Sequence, residues 1–373
     1  MKLVAQVKLL PTAGQFAALK QTMETANAAC NAISARAWEA KEFRQYGLHK
    51  LTYHEIRAAF GLTAQVVVRC IARVADAYKL DRNVKRTFKS YGSIAYDDRI
   101  LRWYVDKSVV SIWTINGRER IPFVCGERQR ALLQSQQGES DLIFHRGEFY
   151  LAAVCNVEEP PTQDVDDALG VDFGIVNIAV DSDGEVHAGN HVNSVRHRHS
   201  RLRSKLQRIG TRSAKRRLGK LSGKEQRFAK HMNHVISKHL VAKAQGTRRA
   251  IALEDLSGIR ERVTARRQQR ATLHSWSFFQ LRQYITYKAA LVGVPVVLID
   301  PRNTSRTCPV CGCVDKRNRP NQSTFSCIQC ELAGPADYIA ATNIRVRGRG
   351  AVNRPYVSAA QSTVQGHGQS PRL

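Results

Sequence analysis

At 373 residues with 43% apolar side chains, the chain is long enough to bury a substantial core and to fold as two or three domains. Its formal charge of +27 decides the class of partner, a polyanion and most often nucleic acid. A membrane partner and an export route are excluded as expectations: the longest apolar candidate, residues 289–299, is broken by Gly293 and Pro295, and the first residues carry no signal-peptide pattern.

The N-terminal part opens with Lys2–Leu10, which alternates as a strand until Pro11 ends it. Thr12 caps a predicted Ala-rich helix to about Lys41, with Leu19, Met23, Ala26, Cys30 and Ile33 at helical spacing. A second helical region is predicted from Leu51 to about Arg86, with a break at Gly61. The texture then changes to short strands over 94–96, 102–105, 109–115, 121–124, 142–145 and 149–157, with turns at Asn116-Gly117 and Arg146-Gly147. The N-terminal strand joins them in a predicted small β-barrel spanning 1–166, with a helical insert at about 11–88. Residues 158–167, containing Pro160-Pro161, read as the linker that follows.

Charge is concentrated beyond that linker. Residues 1–167 carry 23 Lys+Arg against 19 Asp+Glu, whereas residues 168–373 carry 35 against 12. From Arg196 to Lys230 there are 14 basic residues and one acid, Glu225. A stretch this dense would repel itself without a polyanion, so Arg196, Arg201, Arg203, Lys205, Arg208, Arg212, Lys215, Arg216 and Arg217 are candidate nucleic-acid contacts. His231, His234 and His239 sit at helical spacing, but with no carboxylate beside them they are expected to face phosphate or solvent rather than a metal.

Three acids stand at the edges of core elements in this basic half. Ala168–Asp172 and Arg249–Glu254 are apolar strands that end in a carboxylate, and Asp337 opens a helix beginning Asp-Tyr-Ile-Ala-Ala. An acid at the end of a buried strand is costly unless it is paired or metal-bound. Phosphodiester hydrolysis explains why three such acids would converge, since two Mg²⁺ ions about 3.5–4 Å apart, held by carboxylates, neutralise the attacking and leaving oxygens. The element order predicts an RNase H-like sheet with helices on its faces, the run Pro295–Ile299 being one of its buried strands. Between that strand and the Asp337 helix lie Cys308-Pro-Val-Cys311 and, fifteen residues on, Cys327-Ile-Gln-Cys330. Two such knuckles can wrap four thiolates around one Zn²⁺, a structural ribbon, with Cys313 as the one competing ligand. Nine cysteines, an odd number with four in a metal pattern, suit a reducing cytoplasm.

These motifs resemble one family. Gly170-Val-Asp172-Phe-Gly, Ala252-Leu-Glu254-Asp-Leu, Tyr287-Lys-Ala with Gly293, and Thr304-Ser-Arg-Thr-Cys-Pro-Val-Cys-Gly312, followed by Cys327, Cys330 and Ala336-Asp337, are similar to TnpB, the transposon-encoded RNA-guided nucleases related to type V CRISPR effectors. The resemblance implies a multidomain α+β protein: a barrel ("wedge") with a helical recognition insert, a RuvC-like nuclease domain over 167–303 and 336–347, and a zinc ribbon over 304–335. A disordered basic tail is expected over 348–373. It implies Asp172, Glu254 and Asp337 as the catalytic acids on two Mg²⁺, and Cys308, Cys311, Cys327 and Cys330 as the ligands of one Zn²⁺. Arg306 is a candidate for positioning the scissile strand. Where the family often has Asn two residues after the last acid, this chain has Ile339, read as variation that leaves the metal ligand in place. The implied partners are a structured guide RNA and double-stranded target DNA beside a short flanking motif, in a cytoplasmic prokaryotic protein that meets the nucleoid when on DNA, with a monomer favoured. Two readings compete with RNA-guided cleavage: a non-cleaving RNA-guided repressor, and an RNase H-like strand-transfer transposase, whose usual acid order is Asp, Asp, Glu.

Overall fold

The computed structural model describes residues 1–256 and 278–352, in two compact units that divide between Glu158 and Glu159. In the first unit, Pro11 ends β1 (Lys2–Leu9) and Thr12 starts α1 (Ala13–Ala40). The Thr12 hydroxyl accepts from the Gln15 N–H at 3.4 Å while the Gln15 side chain accepts from the Thr12 N–H at 3.1 Å, so two otherwise orphaned donors are satisfied reciprocally. The second helical region starts earlier and ends sooner than expected, as α2 (Gln45–Phe60) and α3 (Ala64–Leu80). Gly61 separates them in the left-handed conformation (φ +62°), its N–H returning to the Arg57 carbonyl. Beyond α3, Arg86 folds its guanidinium back onto the Asp81 carbonyl in place of a further helical turn.

Six more strands follow: β2 (Ile94–Tyr96), β3 (Leu101–Tyr104), β4 (Val109–Thr114), β5 (Gly117–Val124), β6 (Gln136–His145) and β7 (Glu148–Asn156). They join β1 in a near-closed barrel sheet of order β2-β6-β7-β1-β5-β4-β3, every neighbouring pair antiparallel. β5 and β6 extend further than the apolar pattern indicated, because cross-strand pairing with β4 and β7 recruits polar residues such as Arg118 and Ser140. The short helix α4 (Glu127–Leu133) between β5 and β6 was not expected, and it buries Leu133. Leu19, Met23, Val67 and Ile71 share one core with Val7, Ile112, Leu142 and Phe149, so the helical insert packs directly on the sheet.

The second unit is built on a mixed five-stranded sheet of order β10-β9-β8-β11-β12. β8 (Ala168–Asp172), β9 (Asn177–Asp181) and β10 (Val186–Ala188) form an antiparallel meander, and β11 (Ala250–Glu254) and β12 (Val296–Ile299) continue from β8 in parallel. Three basic helices, α5 (Asn190–Ile209), α6 (Arg212–Leu221) and α7 (Lys224–Gly246), connect β10 to β11, and α8 (Phe278–Ala290) precedes β12. Ile236 and Leu240 of α7 and Leu281 and Ile285 of α8 cover one sheet face against Leu169, Val171, Ile251 and Leu253. α9 (Ala336–Val352) covers the other through Ile344, against Ala168, Ala250 and Ala252. The run expected to be a buried strand is the sheet edge instead: Leu298 of β12 is 48% exposed, because nothing pairs beyond it among the described residues.

α9 lies unusually close to the sheet. A Cβ at Gly170 would come within 2.1 Å of the Ala341 carbonyl oxygen, and one at Gly348 within 2.4 Å of the Ala252 Cβ. This corrects the expected start of the tail: residues 348–352 are helical, and Gly348 serves close packing rather than flexibility. The rest of the expected tail, 353–373, lies outside the described residues. Between β12 and α9, a short excursion carries a 3-10 turn (Lys316–Asn318) and the hairpin β13 (Thr324–Ser326) and β14 (Ala333–Pro335). Among the described residues no helix is long and apolar enough to cross a membrane.

Candidate active site

Parallel pairing of β8 with β11 sets Val171 opposite Leu253, so the next residues, Asp172 and Glu254, leave adjacent strand ends side by side. Asp337 stands in the first turn of α9, where the helix dipole favours a carboxylate. All three line one cleft of about 1150 Å³, together with Phe173, Phe278, Arg319 and Tyr338. Each of two acids is fixed by a neutral donor: Asn177 Nδ2 donates to Asp337 Oδ2 at 2.9 Å, and Thr304 Oγ1, itself buried, donates to Glu254 Oε1 at 2.5 Å.

The electrostatics are those of a site short of cations. Burial pushes the Asp172 carboxyl up to about 8, with Glu254 and Asp337 adding repulsion and Arg319 and the Phe173 N–H pulling the other way. Glu254 is also held above its usual range by burial, against the Thr304 hydrogen bond and the charges of Arg347 and Arg319. Carboxylates raised in this way by burial and mutual repulsion favour a bound cation, and the three carboxylates of the cleft are a donor set suited to Mg²⁺.

Sequence reasoning missed Arg319. Its Nη2 lies 3.9 Å from Asp337 Oδ1, and it is the guanidinium that lines the cleft among the described residues. Arg306, the arginine singled out from sequence, is exposed and does not line the cleft; the chain around it contributes Thr304 and Ser305 instead. Arg319 sits between the two cysteine knuckles, where no motif marks it. Its neighbour Asn318 is fully buried and stitches the excursion together, donating from Nδ2 to the Arg306 and Cys313 carbonyls and accepting at Oδ1 from the Ile328 N–H.

The knuckles do converge. The sulfurs of Cys308, Cys311, Cys327 and Cys330 all lie within 4.8 Å of one another, and Cys313 is not part of that group. The Cys308–Cys330 and Cys311–Cys327 sulfurs are 3.4 and 3.5 Å apart. Four sulfurs around a tetrahedral ion at about 2.3 Å would stand about 3.8 Å from each other, so the cluster fits one Zn²⁺ after a small expansion. Ile339, on the inner face of α9, is buried against Cys308, Phe325 and Cys327, so it packs the foot of this cluster.

The basic run divides into two kinds of residue. Arg201, Lys205, Arg208, Arg212, Lys215, Arg216 and Arg217 are exposed along α5 and α6. Arg196, expected on the same surface, is largely buried and pairs with Glu225 at 3.5 Å, as the more exposed Arg203 does at 3.4 Å. The one acid of the run thus links α5 to α7. The histidines also part company: His231 is exposed, His234 stacks on Tyr284 at 4.0 Å, and His239 does meet a carboxylate, because the β9–β10 hairpin brings Glu185 Oε1 to 3.0 Å from its Nδ1.

Two family models match the chain: one described as a probable transposase (OrfB_IS605) over residues 152–257, and the Cas12f1-like TNB domain over residues 278–344. A TnpB-like protein of Methanocaldococcus jannaschii is 36% identical over 126 residues, covering 34% of this chain and 45% of that protein. A CRISPR-associated endodeoxyribonuclease Cas12f1 of Sulfoacidibacillus thermotolerans is 38% identical over 130 residues, 34% of this chain and 29% of its own. The chain thus spans less than half the length of either relative. Among solved structures, that of a Cas12f1–sgRNA–target DNA complex matches with a TM-score of 0.59 at 15% identity, over 87% of this chain and 81% of that one, a likeness of fold. Both models fall almost wholly on the unit that holds the acids and the cysteines, and over that part the chain is similar to TnpB-like and Cas12f1 proteins.

Proposed function

We propose that this protein is an RNA-guided endonuclease that cuts double-stranded DNA at a guide-complementary site beside a short flanking motif. The observation that carries the reading is the convergence of Asp172, Glu254 and Asp337 from two strand ends and a helix start into one cleft with a guanidinium at its side. In this reading the sheet of the second unit, an antiparallel meander continued by two parallel strands, is the RNase H-like RuvC domain, and the excursion between β12 and α9 is its zinc ribbon. The first unit is the wedge with its helical recognition insert.

The three acids would hold two Mg²⁺, which when bound supply charge neutralisation and an activated water for phosphodiester hydrolysis. Asp172 must give up its proton for the site to load. Thr304 and Asn177 aim the Glu254 and Asp337 oxygens into the cleft, and Arg319 offers a cation to the phosphate whose charge grows during cleavage. Cys308, Cys311, Cys327 and Cys330 would hold one structural Zn²⁺, which fixes the segment bearing Arg319.

Guidance by RNA is supported by the charge and by the family. The exposed cations of α5 and α6 give a sequence-independent Coulombic attraction, which alone would bind without discrimination. Sequence choice is then delegated to base pairing, with the protein holding the heteroduplex by its backbone. RNA that co-purifies with the protein should be sequenced, and its guide segment rewritten in a plasmid-cleavage assay with Mg²⁺. Cleavage that follows the rewritten guide supports the reading. A defined DNA site cut by RNA-free protein, or a target unmoved by rewriting, rejects it in favour of a strand-transfer transposase.

A further inference from the structure

Behind the acidic cleft, the β9–β10 hairpin meets α7 through a second cluster of donor atoms. Glu185, His187 and His239 each offer one ligand atom, and all three atoms lie within 4.8 Å of one another. Strand alternation produces this: Val186 lines the cleft, so the residues on either side of it turn to the opposite face, where α7 lies. The His187 and His239 rings meet edge to face with centroids 5.4 Å apart.

The two oxygens of Glu185 have different neighbours. Oε2 receives Lys243 Nζ at 3.3 Å, whereas Oε1 faces the histidines, 3.0 Å from His239 Nδ1. His187 Nε2 is buried and has no hydrogen-bond partner among the described residues. A buried imidazole nitrogen left without a partner is costly in a purely structural role, yet it is what an ion's ligand looks like before the ion arrives.

The surrounding charge admits a cation. Lys243 contacts Asp181 at 2.5 Å and Asp183 at 3.3 Å as well as Glu185, and Arg249 pairs with Asp183 at 2.6 Å. Three carboxylates against these two cations leave an excess of negative charge. The site is open to solvent on one side, since the His239 side chain is 50% exposed.

We propose that Glu185 Oε1, His187 and His239 form a second divalent-metal site, with an N₂O donor set suited to Zn²⁺ and its neighbours Co²⁺ and Ni²⁺, that ties the β9–β10 hairpin to α7. The site is distinct from the four-cysteine cluster, which lies between β12 and α9, and from the three acids of the cleft. It does not depend on the nuclease reading. Its effect on the cleft is mechanical: Gly184 and Val186 of the same hairpin line the cleft wall, and a Cβ at Gly184 would stand 3.8 Å from the Tyr338 ring.

The test is a count of bound Co²⁺ by equilibrium dialysis on the full-length protein, with absorption spectra recorded at each step. The wild type should bind one equivalent more than His239→Gln, and His187→Gln and Glu185→Gln should lose the same equivalent, each with at least a tenfold drop in affinity for it. That equivalent should carry weak visible bands and none of the thiolate charge-transfer absorption of the cysteine cluster. Asp172→Asn should retain it, which separates it from any ion in the acidic cleft. His239 is half exposed, so its variant keeps the fold, checked by circular dichroism. Equal counts in wild type and His239→Gln, or an extra equivalent with thiolate absorption, overturn the proposal.

Discussion

Arg319 Nη2 stands 3.9 Å from Asp337 Oδ1, although one residue lies in the cysteine excursion and the other in the helix that follows it. The contact makes the excursion part of the acidic site. It also lowers the proton affinity of Asp172 and Glu254, both of which feel the Arg319 charge. Arg319→Ala should therefore slow DNA cleavage on the order of 10²-fold, as removal of a preorganised charge-stabilising group does. At limiting Mg²⁺ the acid limb of the pH–rate profile should also move to higher pH, since Asp172 loses a group that favours its ionised form. Arg319→Lys should restore part of both. A variant with an unchanged profile and near-wild-type rate would reduce Arg319 to a surface residue.

Asp172 links the cleft to stability as well as to chemistry. Its pKa in the folded protein is about 8 against a usual 3.8, so the folded state holds a proton that the unfolded chain has lost across that interval. Stability contributed by that proton is present below about pH 4 and is lost as pH rises toward 8. In chelator, the Tm of the wild type should fall more steeply between pH 5 and 8.5 than that of Asp172→Asn, and added Mg²⁺ should raise the wild-type Tm most at the alkaline end. Parallel Tm curves for the two proteins would show that the Asp172 carboxyl is not perturbed. In the cleavage assay, Asp172→Asn, Glu254→Ala and Asp337→Ala should each abolish cutting while guided binding persists.

The cysteine cluster makes a prediction with a clear negative control. Cys327→Ser should remove the four-thiolate charge-transfer band of the Co²⁺-substituted protein and lower the Tm of the second unit, because structural zinc contributes folding energy outright. Cys313→Ser should leave the band in place, since Cys313 stands outside the group of four sulfurs. Loss of the band with Cys313 but not with Cys327 would reverse the ligand assignment.

The close approach of α9 to the sheet is testable without activity. Gly170→Ala places a methyl 2.1 Å from the Ala341 carbonyl oxygen and 2.4 Å from the Arg345 nitrogen, both backbone atoms that cannot swing away. Overpacking of this kind costs about 1–3 kcal/mol or more, so the Tm should drop by several degrees. Gly348→Ala should act in the same direction against Ala252. Gly14→Ala, with nothing within 4 Å of the added methyl, should leave the Tm level or slightly raised. If all three variants melt together, α9 does not sit this close to the strands.

Much of this architecture was legible because its signals are local. Thr12 caps its helix as expected, Gly61 breaks the helices where its backbone freedom is needed, and the apolar runs ending in Asp172 and Glu254 are adjacent strands. The cysteine spacing brought four sulfurs together, and the acids stood out because carboxylates are scarce in so basic a half. What escaped was set by neighbours distant in the chain. Polar stretches of β5 and β6 became strand only because a partner strand extended alongside them, and the apolar run of β12 became an edge because no strand followed it among the described residues.

The sequence by itself determined the kind of chemistry available: three carboxylates at element ends, four thiols in two knuckles, and a surplus of positive charge. Residue type and short-range periodicity carry that information, since they fix which elements form and which groups they end on. Only the tertiary structure decided which arginine stands beside the acids, Arg319 rather than Arg306, and that Arg196 is largely buried against Glu225 rather than free on the surface. It also decided that His239, lacking an acid nearby in sequence, faces Glu185 and His187. Each of these is a pairing between residues brought together by strand register and helix packing, and a linear chain does not encode such distances in the spacing of either partner.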